Sequence, residues 1–306
     1  MKAVFLKARG GPEALVLADA PTPAPGSGEV LVRVHASAVT PTELEWLPTW
    51  TTRDGGARPL PVIPGHEFSG EVLATGAGAD GVRIGDDVFG TIDWFVDGAL
   101  AEYCVARAVD VVIKPAMLDH RLAATVPISA LTAWQGLMER AALAPGERVL
   151  VHGAAGGVGL FAVQIARWRG AHVAGTASTH NIEFVQWLGV QEAIDYRARR
   201  FEDVVGTVDV VFDTVGGDTL ARSWGVLRPG GRMVTIAASA ERASEPRVRD
   251  AFFVVEPSRE QLGRIALMIE ASVLLPVVDS VFPLANARLA FERHPVRGKV
   301  VLDMTV

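Results

Sequence analysis

One stretch of this chain sets residue types that could do chemistry in a working order: Val149-Leu-Val-His-Gly-Ala-Ala-Gly-Gly-Val-Gly159. A short apolar run enters a glycine-rich turn, and an amphipathic segment over residues 160–169 follows. A dinucleotide pyrophosphate needs that order. The strand carries the chain to the sheet edge, small residues let the backbone approach, and a helix N-terminus offers unpaired N–H donors. Gly156 and Gly159 take the second and third roles of a G-x-G-x-x-G fingerprint, and Ala154 stands at its first position. A glycine run alone reads equally well as a loop. Its place between strand and helix favours a nucleotide site, with Ala154, Ala155, Gly156, Gly157 and Val158 as candidate contacts.

The next strand speaks to which nucleotide. An acid that bonds a ribose 2′-hydroxyl usually lies about 20 residues beyond the last glycine. Here the strand ends Gly175-Thr-Ala-Ser178, Thr179, His180 and Asn181 follow, and no carboxylate comes before Glu183. An acid there would repel a 2′-phosphate, so its absence permits NADP(H). Ser178, His180 and Asn181 offer donors for that phosphate. The same residues also read as a cap for a helix starting near Ile182. Both readings can hold, because a helix N-terminus is itself a phosphate site.

These residues need elements to hold them. Short Val-rich runs at 3–6, 30–35, 71–74, 87–90 and 109–114, separated by Gly and Pro clusters, predict strands in the first third. The proline-rich segment 21–26 predicts a loop. From residue 122 to 272 the pattern changes to strands (149–152, 172–177, 208–213, 232–237) alternating with helical segments, the mark of parallel βαβ units. The stretch 275–306 returns to strands, with 299–302 among them. The expected fold class is α/β, with a β-rich lobe over 1–121 and 273–306 and an α/β lobe over 122–272.

Bulk composition narrows the function. With 306 residues, 49% of them hydrophobic and 21% charged, the chain can bury more than one core. A net charge of −6 argues against a nucleic-acid partner. A single cysteine, Cys104, excludes a disulfide framework and fits a reducing, cytoplasmic setting. It lies in an alternating segment and reads as a packed strand residue rather than a nucleophile. No signal segment or membrane span is expected.

Taken in order, the motifs resemble the medium-chain dehydrogenase/reductase superfamily, in its zinc-independent quinone oxidoreductase branch. They are Met1-Lys-Ala-Val4, Gly65-His-Glu-Phe-Ser-Gly-Glu-Val72, Gly85-Asp-Asp-Val-Phe-Gly90, Leu131-Thr-Ala-Trp134, Ala154-Ala-Gly-Gly-Val-Gly159, Ala193-Ile-Asp-Tyr196, Asp213-Thr-Val-Gly-Gly217 and Gly298-Lys-Val-Val-Leu302. The resemblance implies a GroES-like β-barrel catalytic domain, a doubly wound Rossmann domain with a parallel sheet, and a cleft between them. It also matches the catalytic-zinc positions of the alcohol dehydrogenases to Thr40, His66 and Ile128. One imidazole without its partners makes no tetrahedral site, so no metal is expected, and His66 and Glu67 read as barrel fixtures.

The resemblance implies metal-free hydride transfer from NADPH to a small electrophilic acceptor, a quinone or an α,β-unsaturated carbonyl. It places Thr40 beside the nicotinamide ribose as the candidate catalytic residue, and Thr132 facing the cofactor. Tyr196 falls near the adenosine end, Val215 and Gly216 by the ribose, and Phe253 and Val254 by the carboxamide, with Lys299 closing the site. Trp46, Trp50, Trp94 and Phe95 are pocket candidates, able to grip flat acceptors or merely to plug the core. No proton donor stands out. A homodimer is expected, with an edge strand at 251–255 exposed for pairing. Competing readings are an enoyl-thioester reductase, a zinc alcohol dehydrogenase and a non-catalytic NADPH-binding sensor.

Overall fold

A computed structural model describes every residue except Arg242 and Pro295. In the first part of the chain the strands are β1 (Lys2–Leu6), β2 (Leu15–Asp19), β3 (Glu29–Ala38), β4 (Glu67–Thr75), β5 (Asp87–Thr91), β6 (Tyr103–Arg107) and β7 (Val111–Ile113). Then come β8 (Arg148–Val151), β9 (His172–Ala177), β10 (Glu192–Asp195), β11 (Val208–Asp213) and β12 (Leu227–Thr235). The last are β13 (Val278–Pro283) and β14 (Lys299–Asp303).

Strands from both ends of the chain build one seven-stranded sheet in the order β13-β14-β3-β4-β5-β7, with β6 pairing the free half of β3. The alternation of β3 explains its place at the centre. Val30, Val32, Val34, Ala36 and Ala38 all point inward and are buried, while Arg33 faces out. The expected strand at 109–114 is shorter than its composition implied. A 3-10 turn, Ala108–Asp110, occupies its start because Asp110 folds back to accept from Arg107 Nε at 2.5 Å.

The middle of the chain forms a five-stranded parallel sheet ordered β10-β9-β8-β11-β12. Counting β8 as the first of the set, this is the doubly wound order that reverses direction between β8 and β11, where ligands bind. β8 lies at its centre, and its residues divide between two cores. Val149 and Val151 face one layer, with Phe161, Ile165 and Phe212, while Leu150 faces the other, with Phe201 and Leu220. A strand covered on both faces must be apolar throughout, which is why its pattern reads as a run.

The helix after the glycine turn spans Gly157–Trp168, starting before the apolar segment that announced it. A π-helical turn, Gln135–Arg140, continues the helix Pro127–Trp134 and rests on β11 at Gly136. A Cβ at Gly136 would lie 2.2 Å from Phe212 Cε2, so only glycine allows that approach.

One expectation is overturned. Residues 251–255 do not form an edge strand. Ala251 ends the helix Pro246–Ala251, and a single parallel bridge joins Phe252 to Thr235. Beyond it, the Gln135 side chain takes both backbone groups of Glu256, accepting from its N–H at 2.9 Å and donating to its carbonyl at 2.8 Å. Among the described residues, pairing with β12 is thus confined to the Phe252 bridge and the Phe253 N–H bond to the Thr235 carbonyl, and the chain beyond is held by the Gln135 amide.

Candidate active site

The cleft between the two sheets has a volume of about 760 Å³. Its floor is a buried charge network. Glu67, at the start of β4, is wholly buried and accepts from the Ile128 N–H at 2.9 Å and from the Lys299 ammonium. Lys299, at the start of β14, also donates to Thr40 Oγ1 at 2.9 Å. Burial pushes the Glu67 carboxyl above the ordinary carboxylate range, and the adjacent ammonium pulls the other way. Beside this pair, Glu43 accepts from Gly65 N at 2.5 Å and lies 2.7 Å from His66 Nδ1. The barrel carboxylates at 43 and 67 are therefore each committed to a cation, an imidazole or a backbone donor.

Gly157 and Val158, at the start of the helix after the glycine turn, form part of the opposite wall, with Ala154, Ala155 and Gly156 behind them, outside the cleft lining. Gly153 has φ +70°, and a Cβ at Gly159 would lie 2.1 Å from the Gly153 carbonyl, so the helix can start directly beneath the turn. No side chain caps that helix, which leaves its first N–H groups for a ligand. Ala154 at the irregular first position is accommodated from β9. Gly175 faces it, and a Cβ at Gly175 would be 3.1 Å from the Ala154 methyl. Ser129 Oγ is buried, unpartnered and on the cleft wall. An uncapped helix end, a turn of only glycine and alanine and an orphan hydroxyl together fit a dinucleotide.

Most of the other expected residues gather here. Thr40, Thr132, Gly157, Val158, Phe253, Val254 and Lys299 line the cleft with Trp46, Trp94 and Phe95. Trp46 and Trp94 meet edge to face at 5.7 Å and make an aromatic wall. Thr132 turns its hydroxyl back to Ile128 O at 2.6 Å. Val215 and Gly216 follow β11 and lie outside the cleft lining, but a Cβ at Gly153 would be 3.5 Å from Val215 Cγ2, so they border the turn. Tyr196 is exposed at the end of β10, its N–H bonded to the Ala177 carbonyl.

Trp50 is a correction. It lies away from the cleft, in a separate hollow with Pro12 and Leu44, under the Arg9 guanidinium. Its indole N–H bonds the Leu44 carbonyl at 2.8 Å, which fixes it as a plug of the 41–50 turn.

Ser178, His180 and Asn181 form a 3-10 turn after β9, and this turn has a partner missing from the linear reading. Arg297, just before β14, donates from Nε to Asn181 Oδ1 at 2.8 Å and from a terminal nitrogen to the His180 carbonyl at 2.9 Å. Its guanidinium lies 4.8 Å from the Phe184 ring. Asp195, on β10, also reaches this turn, and the Thr179 hydroxyl holds its carboxyl below the usual range. No spacing rule connects either residue to the turn.

The zinc positions do not fit a metal. Thr40 binds Lys299, Ile128 has no donor side chain, and His66 is turned by Nδ1 toward Glu43. Among the described residues no cluster of three or more His, Cys, Asp or Glu side chains is arranged for a metal ion. Cys104 is buried on β6, and burial pushes its thiol up, away from nucleophilic use.

The fold and cleft have counterparts. Residues 26–116 match the family "Alcohol dehydrogenase GroES-like domain" and residues 188–302 match "Zinc-binding dehydrogenase". The chain is 31% identical to the quinone oxidoreductase of Homo sapiens, over 99% of this chain and 97% of that protein. It is also 31% identical to an NADPH-dependent alkenal/one oxidoreductase of Arabidopsis thaliana, over 99% of this chain and 79% of the other. The solved quinone oxidoreductase of Coxiella burnetii superposes with a TM-score of 0.90 at 31% identity, covering 99% of both chains. The chain belongs to the medium-chain dehydrogenase/reductase superfamily and is quinone oxidoreductase-like. Its fold is the GroES-like domain and Rossmann-type parallel sheet of that superfamily.

Proposed function

We propose that this chain is an NADPH-dependent reductase of quinones or α,β-unsaturated carbonyls that works without a metal. The observation that carries the reading is the Lys299–Glu67–Thr40 network, which fills the cleft floor where a zinc enzyme would keep ligands free. When bound, NADPH supplies the hydride. Gly157 and the uncapped start of its helix hold the pyrophosphate. Ser178 and Arg297 hold the 2′-phosphate, Arg297 adding the guanidinium that suits such a group, while the buried Asn181 amide, bonded to Val296 O and Arg297, positions them. Ser129 gains a partner from the nicotinamide half. Trp46, Trp94 and Phe95 stack against a flat acceptor and keep water from the hydride path.

Acceptors of this class suit the site because the negative charge they take up is delocalised, so no Lewis acid is required. The domain limits 1–121 with 273–306 and 122–272 are part of the reading, supported by the two separate sheets. So is a homodimer. A cytoplasmic location rests on the single buried thiol. No helix among the described residues is long and apolar enough to cross a membrane.

Purified protein should oxidise NADPH steadily with 9,10-phenanthrenequinone or with an enone, and chelators should leave the rate intact. Tight NADPH binding without turnover of either acceptor would identify a sensor instead. Stoichiometric zinc, lost together with activity, would overturn the metal-free part.

A further inference from the structure

We propose that Thr40 is the proton donor to the oxyanion that forms on the acceptor, and that Lys299, held by Glu67, sharpens that donor and reloads it. The inference rests on the acceptor class proposed above and adds the proton's source. Thr40 Oγ1 accepts from the Lys299 ammonium at 2.9 Å, and its hydroxyl makes no other protein hydrogen bond among the described residues. A hydroxyl has one hydrogen to give. With one lone pair on the ammonium, that hydrogen is left for the cleft, which both residues line.

Other cleft hydroxyls lack this arrangement. Among the described residues, Thr132 gives its hydrogen to Ile128 O, Thr42 accepts from the neutral Trp46 indole, Ser129 has no partner, and no cation bonds the Ser239 hydroxyl. A cation bonded to the hydroxyl oxygen makes its O–H more acidic and strengthens its bond to an anion. Lys299 cannot swing away freely, because Glu67 holds its other side and its stem packs against Gly157, where a Cβ would be 2.7 Å from Lys299 Cγ.

The balance closes. Hydride adds to the β-carbon of an enone, and the π pair moves to the carbonyl oxygen. The Thr40 O–H bond breaks as an O–H bond forms on that oxygen, giving the enol, which becomes the saturated ketone in water. An N–H bond of Lys299 breaks to restore Thr40, and the amine takes a proton back from cleft water. One NADPH and one proton are consumed for each enone.

The experiment compares wild type with T40V, T40S and K299R on but-3-en-2-one. T40V should lose about 100-fold in kcat, and T40S should recover most of it. K299R keeps the charge beside Glu67 and so guards against misfolding, but arginine cannot give up a proton. It should slow turnover and raise the solvent deuterium isotope effect. A second readout needs no turnover. In NADP⁺-loaded wild type, 4-nitrophenol should titrate about one pH unit or more below its value in water, and T40V should abolish that shift. T40V with wild-type kcat, or a nitrophenol shift that is absent in wild type or survives T40V, would overturn the donor. Failure of wild type to reduce any enone or quinone defeats the reading in the preceding section, while the nitrophenol titration still decides for or against Thr40.

Discussion

Arg297 Nε lies 2.8 Å from Asn181 Oδ1, so a residue from the last crossover is pinned to the turn that follows the second strand of the parallel sheet. The proposed 2′-phosphate site is thereby built from both parts of the chain. R297A is expected to weaken NADPH binding by about tenfold or more while leaving NADH affinity nearly unchanged, since one charge-assisted hydrogen bond is worth about 1.5–3 kcal/mol. Ser178→Asp should reverse the preference through like-charge repulsion. Fluorescence titration with each cofactor measures both, and equal loss for NADH and NADPH in R297A would assign the arginine a structural role only.

A second prediction concerns the irregular glycine turn. Gly175 and Ala154 face each other, and a Cβ at Gly175 would lie 3.1 Å from both the Ala154 methyl and Val190 Cγ2. Gly175→Ala should displace the turn and raise the NADPH dissociation constant several-fold. The double variant G175A/A154G relieves the contact with Ala154 but not the one with Val190, and should recover part of the loss. Additive effects in that cycle would show that the two positions do not share the space.

Stability should fall in mild acid. His152 is wholly buried between Thr176 and Ser223, and burial holds its imidazole down at about 4. His120, packed on the His35 ring, is likewise held down at about 4, first by burial and then by its neighbour. Unfolded, both take up protons near pH 6.5. Their native stability is therefore fully present above that pH and is lost as pH falls from 6.5 toward 4. The shift at His152 alone corresponds to about 3 kcal/mol. Urea unfolding at steps between pH 7.5 and 4.5 measures the slope, and H120N should lessen it. A flat profile would mean that the imidazoles are not kept neutral.

Gly136→Ala tests the contact of the π-helical turn with β11. The added methyl has no space beside Phe212, and overpacking of this kind costs about 1–3 kcal/mol. The thermal midpoint should drop accordingly, and a Phe212→Leu partner change should restore part of it.

The fold was largely legible because its signals are local. Period-two valines mark β3, and apolar runs spaced by helical segments mark β8, β9 and β11. The helix start after the glycine turn and the turn at 178–181 were readable as local structure for the same reason. What could not be read joins residues with no spacing rule between them. Glu67 and Lys299 are 232 positions apart, and Arg297 and Asn181 are 116 apart. The false edge strand at 251–255 has a different cause. Its composition favours a strand, but Ala251 closes a helix and only Phe252 bridges β12 before the Gln135 side chain takes the backbone of Glu256. Trp50 misled because an aromatic residue beside a cleft and one in it look alike until the indole N–H finds its acceptor.

Gly298 bridges Gly156 and donates its N–H to the Ala155 carbonyl, which sets Lys299 over the start of the cofactor helix. The glycine turn is translated well before this clasp exists. During synthesis the parallel sheet can form while residue 298 is still inside the ribosome, but the floor of the cleft cannot. The nascent chain thus gains its glycine turn before the cleft floor that faces it, and the complete cleft appears only when β14 has emerged and paired with β3.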